Sequence, residues 1–156
     1  MRSDERRIHR RGRSDGALDA ALASAGIGTD DDSTVPLVHV LPVVDALSEV
    51  TAALVAWAAD ARSATVAGTD VVTVVDAEGF DTDHLARSML AHGVVAATRA
   101  LAMERARDGG RANLVVVDAD VDAAETAVTI GWLLSAASIT AEIVTLGAAR
   151  HGRQPA

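Results

Sequence analysis

From Val35 onward the chain alternates between short apolar runs and longer stretches with helical periodicity. Leu37-Val38-His39-Val40-Leu41 is a compact apolar run. Asp45 then offers a cap for a helix over about 45–62, with a stripe of Leu47, Val50, Leu54, Trp57 and Ala61. Val71-Val72-Thr73-Val74-Val75 is β-branched throughout, as a strand buried on both faces requires. The polar Asp81-Thr82-Asp83 leads into a long helix over about 82–107, with Leu90, Val94, Ala97 and Leu101 on one face, and Gly109-Gly110 ends it. Asn113-Leu114-Val115-Val116-Val117 follows as a strand. Asp122 with Glu125 three residues later starts a helix through Leu134, and Ile143-Val144-Thr145-Leu146 closes the pattern.

This βαβαβαβ order predicts an α/β domain with a mainly parallel sheet and helices on both faces, because right-handed crossovers alternate the helices across it. The domain is expected over 35–150, with 151–156 as a C-terminal tail. The start of the chain reads differently. Arg2, Arg6, Arg7, Arg10, Arg11 and Arg13 stand against Asp4 and Glu5, residues 15–25 suit a short Ala-rich helix ending at Gly26, and Gly28 to Thr34 read as a linker. Residues 1–34 are therefore expected to be a basic, flexible segment.

Composition narrows the chemistry. The 156 residues include no Cys and no Tyr, and every one of the 14 basic residues is Arg, so a disulfide, a thiolate, a phenol and a lysine amine are all excluded. Aromatic residues make up 2% of a chain that is 49% apolar, which leaves the core to Ala, Val, Leu and Ile. A formal charge of −8 argues against nucleic-acid binding by the folded part. No apolar h-region or charge-free membrane span occurs, so a cytoplasmic location and no membrane partner are expected.

Two segments are more specific. Thr98-Arg99-Ala100-Leu101-Ala102-Met103-Glu104 followed by Gly110-Arg111-Ala112-Asn113-Leu114-Val115 resembles the place in short-chain dehydrogenase/reductases where the active-site helix ends and the next strand begins. Ala127 to Gly147, with its Ser-rich turn at Ser135-Ala136-Ala137-Ser138, is similar to that family's last helix, turn and final strand. The resemblance covers the second half of the chain and implies a partial, truncated Rossmann-like fold. It also implies that the first βα turn, where glycines bring the backbone to a dinucleotide pyrophosphate, is absent.

In that family a Tyr and a Lys one helical turn apart exchange a proton with the substrate oxygen and hold the ribose. Placed against Thr98-Arg99-Ala100-Leu101-Ala102, the resemblance puts these positions at Arg87 and Ala91, and the family's catalytic Ser at Asp76. Arg87 donates no proton at neutral pH, Ala91 carries no charge, and a carboxylate at 76 repels an oxyanion. Asp118-Ala119-Asp120-Val121-Asp122 leads straight into the last helix, with no substrate-covering segment. No catalytic residue, metal ligand or cofactor-binding residue is therefore expected, and any NAD(P) would belong to a partner subunit.

Other groups carry alternatives. Asp76, Glu78, Asp81, Asp83, His84 and Arg87 gather after a strand, at the edge where open α/β sheets bind ligands, and suit either a solvated helix start or different acid/base chemistry around Asp76, Glu78 and His84. His39 reads as a satisfied core histidine and His151 as part of the tail. Arg99 and Arg105 read as helix-surface ion pairs. Asp118, Asp120 and Asp122 lack the Gly and Glu of a calcium loop. The resemblance further implies a four-helix dimer interface built from the two long helices, with Leu47, Leu54, Trp57, Leu90, Gly93, Val94, Ala97 and Leu101 as the expected contact residues. The reading is a non-catalytic subunit that pairs with a catalytic relative or with itself. The alternative is a regulatory module that binds a ligand in the vestigial crevice.

Overall fold

The structure is a computed structural model that describes residues 6–81 and 83–147. Its six strands are β1 (Arg6–Gly12), β2 (Ile27–Asp30), β3 (Leu37–Val40), β4 (Val71–Asp76), β5 (Ala112–Val117) and β6 (Ile143–Leu146). They form one parallel sheet in the order β2-β1-β3-β4-β5-β6. Four α-helices connect them: α1 (Gly16–Ser24), α2 (Leu47–Ala67), α3 (Leu85–Arg105) and α4 (Ala123–Ser135). The α/β class, the parallel sheet and the truncated Rossmann-like architecture are as the sequence predicts. The bounds of α1, β3 to β6 and α4 lie within a residue or two of those expected.

Strand alternation sorts the core into two layers. Val38, Val40, Val72, Val74 and Val115 face α1 and α4, where Leu18, Leu22, Ile130 and Leu133 cover them. Val75, Leu114 and Val116 face the other way, against Val50, Trp57, Leu90 and Val94 of α2 and α3. Ladder partners such as Val74 and Val115 lie on one face, so each strand must be apolar at nearly every position. Thr73 is an exception, and its hydroxyl accepts from Trp57 Nε1 at 2.9 Å, which satisfies both buried polar atoms.

Residues 6–30 correct the expectation of a flexible segment. β1 lies inside the sheet between β2 and β3, and only residues 1–5 fall outside the described part of it. Three of its four arginines have partners on other elements: Arg7 pairs with Asp30 at 2.8 Å, Arg10 with Asp19 at 3.1 Å, and Arg6 donates to the Gly131 carbonyl at 2.9 Å. Ile8, fully buried, is the one large apolar side chain it supplies to the core. The presumed linker at 28–34 contains most of β2. The tail at 151–156 and Thr82 lie outside the described residues.

The link from β2 to β3 has no helix. Parallel neighbours normally need a crossover of roughly a dozen residues or more, because the chain must climb back to the start of the next strand. Here β2 pairs only with the first half of β1 and β3 only with its second half. His9 faces Asp30 on one side and Leu37 on the other. The segment 31–36 therefore crosses β1 at one level. Gly12 ends β1 with φ of +84°, and a Cβ there would overlap the Val40 carbonyl, which accepts from Arg13 N at 2.8 Å.

His39 is buried, as the core reading has it, and its Nδ1 meets Asp60 Oδ2 at 2.9 Å while Nε2 has no hydrogen-bond partner among the described residues. Burial depresses its pKa more than the Asp60 carboxylate raises it. The folded state thus binds a proton at position 39 less readily than the unfolded chain, whose histidine titrates near 6.5. Stability contributed here is present above about pH 6.5 and declines as pH falls through that value. Urea melts from pH 8 to pH 5 are expected to show this decline, and His39→Leu is expected to flatten it. Gly12→Ala is expected to destabilise the fold by about 2–4 kcal/mol in the same assay, through overlap and strained φ.

Candidate functional site

The chain leaves β1 toward β2 on one side and returns to β3 on the other, so the carboxyl end of β1 is the sheet's topological switch point. A crevice of about 330 Å³ opens there, walled by Arg13, Asp15 and Leu18 after β1, Asp76 after β4, and Asp118 and Thr126 after β5. Loops leave parallel strands at their carboxyl ends, which is why polar side chains collect at this edge while valines form the crevice floor. The first βα turn, Gly12 to Gly16, is present, which corrects the expectation of its absence. Its signal in the sequence is the pair Gly12 and Gly16 after Ile8, masked by the surrounding arginines.

This turn does not fit a dinucleotide. A pyrophosphate needs the open N-terminus of the following helix, but Asp15 caps α1 and accepts from Leu18 N at 3.1 Å, placing a carboxylate where the anion would sit. Leu18, buried, stands close to where the fold's third glycine lets helix and strand approach. The acidic residue that holds a ribose belongs at the end of the second strand. Asp30 occupies that end, yet it lies level with His9, three residues short of Gly12, and its carboxylate is bound by Arg7 and by the Asp32 N–H. Those bonds hold its pKa below the usual carboxylate range.

The positions where the resemblance places Tyr and Lys lie beside this crevice and are packed shut, while the one for Ser, Asp76, stands between the two on the crevice wall. Arg87, on the first turn of α3, donates through Nε at 3.1 Å and Nη2 at 2.6 Å to Asp45 Oδ1, and through Nη1 at 2.7 Å to Glu78 Oε2. The Asp45 hydrogen bonds foremost, with the nearby carboxylates adding to them, raise the guanidinium pKa further above neutrality. Ala91 is 1% exposed, and a Cβ on Gly79 would stand 2.9 Å from its methyl. The cavity left among Val44, Asp76, Gly79, Arg87 and Ala91 is about 20 Å³, room for about one water. Asp76 caps the short 3₁₀ turn Ala77–Phe80 by accepting from Glu78 N at 3.1 Å.

The other candidates separate. Glu78 is committed to Arg87, and His84 is an exposed backbone cap of α3 with no side-chain cap bond. His92 sets its ring edge to face with Phe80, centroids 5.3 Å apart. Asp118 Oδ1 accepts from Ala119 N, and Asp122 caps α4 by accepting from Ala124 N. Among the described residues no cluster of three or more His, Asp or Glu is arranged to hold a metal, and no helix is long and apolar enough to cross a membrane. Arg105 corrects the surface reading: it is buried under Gly110 and donates to the Thr69 carbonyl. Asp45 does not cap α2. The Glu49 carboxylate does so instead, accepting from the Asp45 and Ala46 N–H groups at 3.0 and 3.2 Å.

The expected interface residues are also redistributed. Trp57, Leu90 and Val94 belong to the chain's own core, with Leu54, Ala97 and Leu101 packed against it, and Gly93 receives Leu54 across the α2–α3 groove. Only Leu47 is open to solvent, at 53%. Periodicity found the buried stripe, which on these long helices faces the sheet. Besides Leu47, the exposed large apolar residues of these two helices are Val55 and Val66 on α2 and Leu85, Met89 and Met103 on α3, and α4 exposes Val128 and Trp132.

No protein-family profile matches the sequence, and no curated protein does. Solved structures do match in fold. A short-chain dehydrogenase/reductase mutant of Serratia marcescens superposes with a TM-score of 0.67 at 14% identity, over 91% of this chain and 96% of that one. Enoyl-[acyl-carrier-protein] reductase (NADH) of Aquifex aeolicus gives 0.69 at 13% identity over 95% and 96%. A short-chain dehydrogenase of Leptospira borgpetersenii with bound NAD+ gives 0.70 at 8% identity over 94% and 93%. The chain thus has the short-chain dehydrogenase/reductase fold, in a shortened form that keeps the N-terminal strand–helix–strand unit.

Restoring the missing pair should not restore a site. Arg87→Tyr with Ala91→Lys is expected to lower stability by about 1–3 kcal/mol, since the cavity beside Ala91 and Gly79 has no room for a lysine side chain. Denaturant melts and a hydride-transfer assay with NADH and NADPH check this, with no turnover expected.

Proposed function

We propose that this protein is a non-catalytic subunit with the short-chain dehydrogenase/reductase fold, which associates through the exposed faces of α2 and α3 with the same helix pair of a second subunit. The subunit binds no dinucleotide itself, and oxidoreductase chemistry, where the assembly has any, resides in a catalytic partner. One observation carries this reading. Leu85, Met89, His92, Ala96, Ala100 and Met103 repeat at spacings of three or four residues along five turns of α3, and all are exposed. Leu47, Val55 and Val66 run along α2, also exposed.

Both stripes lie on the solvent side of the groove where Leu54 meets Gly93. A lone soluble domain gains nothing by placing this much apolar surface in one strip, whereas association buries it. A two-fold axis brings the same patch of two copies together, so an apolar strip of this kind can be buried against a copy of itself. The closed cavity at Ala91 and the Asp15 cap support the non-catalytic part, because they leave neither room for a substrate beside Arg87 and Ala91 nor a free helix terminus for a pyrophosphate.

Light scattering coupled to size exclusion tests the association. The purified protein is expected to elute as a dimer, and Met89→Asp with Met103→Asp as a monomer whose circular dichroism is unchanged. A monomeric parent that also forms no mixed dimer with a full-length reductase of this fold would sink the proposal.

A further inference from the structure

A second cavity lies beside β1 on the α2 face of the sheet. The ladder pairs His9 with Leu37 and Arg11 with His39 put these side chains on that face, opposite Ile8. Residues 31–36 cross β1 here without a helix, and between that link and α2 the fold leaves about 290 Å³, lined among others by Arg11, Asp31, Ser33, Leu37, Asp60 and Ser63. We propose that this cavity binds a free aliphatic amino acid as its zwitterion, with the carboxylate on Arg11 and the ammonium on Asp60.

A buried histidine stands behind each of the two charges. Arg11 Nε donates to His9 Nε2 at 2.6 Å, and His9 Nδ1 meets the Asp30 carbonyl at 3.1 Å. A guanidinium only donates, so the ring proton of His9 sits on Nδ1, which sets both tautomer and orientation. On α2, Asp60 Oδ2 is bound by Nδ1 of His39 at 2.9 Å. His9 is 8% exposed and His39 2%, so packing holds both rings and, through them, the charged groups that line the cavity.

The histidines leave the working ends of both groups unused. Arg6, Arg7 and Arg10 of β1 all have partners on other elements, whereas among the described residues Arg11 makes no ion pair and neither Nη has a hydrogen-bond partner. Asp60 Oδ1 has none either, and the Asp31 carboxylate on the link is likewise unpaired. Opposite charges free to move in one small cavity close on each other, but Arg11 and Asp60 share this one without pairing. Their clamps keep them apart.

That arrangement selects the ligand. A simple anion meets Asp31 and Asp60, and a simple amine meets Arg11, so no singly charged molecule satisfies the set. A zwitterion does. The two free Nη groups form the fork that accepts a carboxylate bidentately. An ammonium has three N–H groups to share between Asp60 Oδ1, Asp31 and the Ser63 hydroxyl, which donates to the Ala59 carbonyl and keeps its lone pairs. Val35, Leu37 and Ala64 supply an apolar wall for an aliphatic side chain.

The test titrates the intact ¹⁵N-labelled protein with L-leucine, and with leucinamide and N-acetyl-leucine, which lack the carboxylate and the ammonium respectively. Saturable NMR shifts are expected at the amides of Arg11, Ser33, Asp60 and Ser63, and each singly charged analogue is expected to bind about tenfold more weakly or worse. Arg11→Gln is expected to weaken leucine about fivefold or more while leaving leucinamide unchanged. Asp60→Asn is expected to weaken leucine likewise while leaving N-acetyl-leucine unchanged, with the circular dichroism of both variants that of the parent. Arg11 is exposed, so its variant keeps the test decisive if Asp60→Asn fails to fold. Absence of saturable shifts, shifts outside the cavity, equal binding of the three compounds, or an Arg11→Gln variant that weakens leucinamide as much as leucine would each overturn the proposal. The oligomeric state is read separately by light scattering, so failure of the association and failure of this site remain distinguishable.

Discussion

β4 and β5 present apolar side chains to both faces of the sheet, so neither face can meet water. Val72, Val74 and Val115 require α1 and α4 on one side, and Val75, Leu114 and Val116 require α2 and α3 on the other. Each helix is consequently held by a valine ladder whose own members are held by their register. Because the strands are parallel, every connecting loop from β3 onward is forced to the same two edges. The carboxyl edge, where β1, β4 and β5 release their chains, then becomes a place where polar side chains from distant parts of the sequence meet.

That edge holds two neighbouring regions with opposite fates. Beside α3, Ala91 and Gly79 have closed on one another, and Arg87 is drawn over the gap by Asp45 and Glu78. Beside α1 and α4 the crevice stays open, since Asp15, Asp76 and Asp118 are each tied to a local backbone N–H and cannot collapse inward. Closure of one region and openness of the other therefore have separate causes in this fold. The first follows from close packing, the second from capping hydrogen bonds that cost nothing to keep.

Shortening of the sheet has the same economy. Staggering β2 and β3 along β1 removes the climb that a parallel crossover demands, and residues 31–36 suffice where a helix would otherwise stand. The cost is that Asp30 ends well below the crevice. The end of the second strand, which in dinucleotide-binding sheets contacts the ribose, is here occupied with holding Arg7.

The sequence by itself determined the β-branched strands from Val71 and Asn113 onward, the Asp122 cap of α4, the α/β class, and the lack of any thiol, phenol or lysine amine, because these depend on local periodicity and residue identity. It hid β1, in which Ile8 is the one large apolar residue of a strand full of arginines. Arg7 and Arg10 are paired with Asp30 and Asp19, and Arg6 donates to a carbonyl at Gly131, partners that come together only when the chain folds. It also could not say which stripe of a long helix faces outward, since Trp57 and Leu90 are as apolar as Met89 and Met103, and only packing against the sheet decides which are covered. The crevice and its closed neighbour belong to the tertiary structure alone. They arise where loops far apart in sequence are brought to one edge by the pairing of parallel strands.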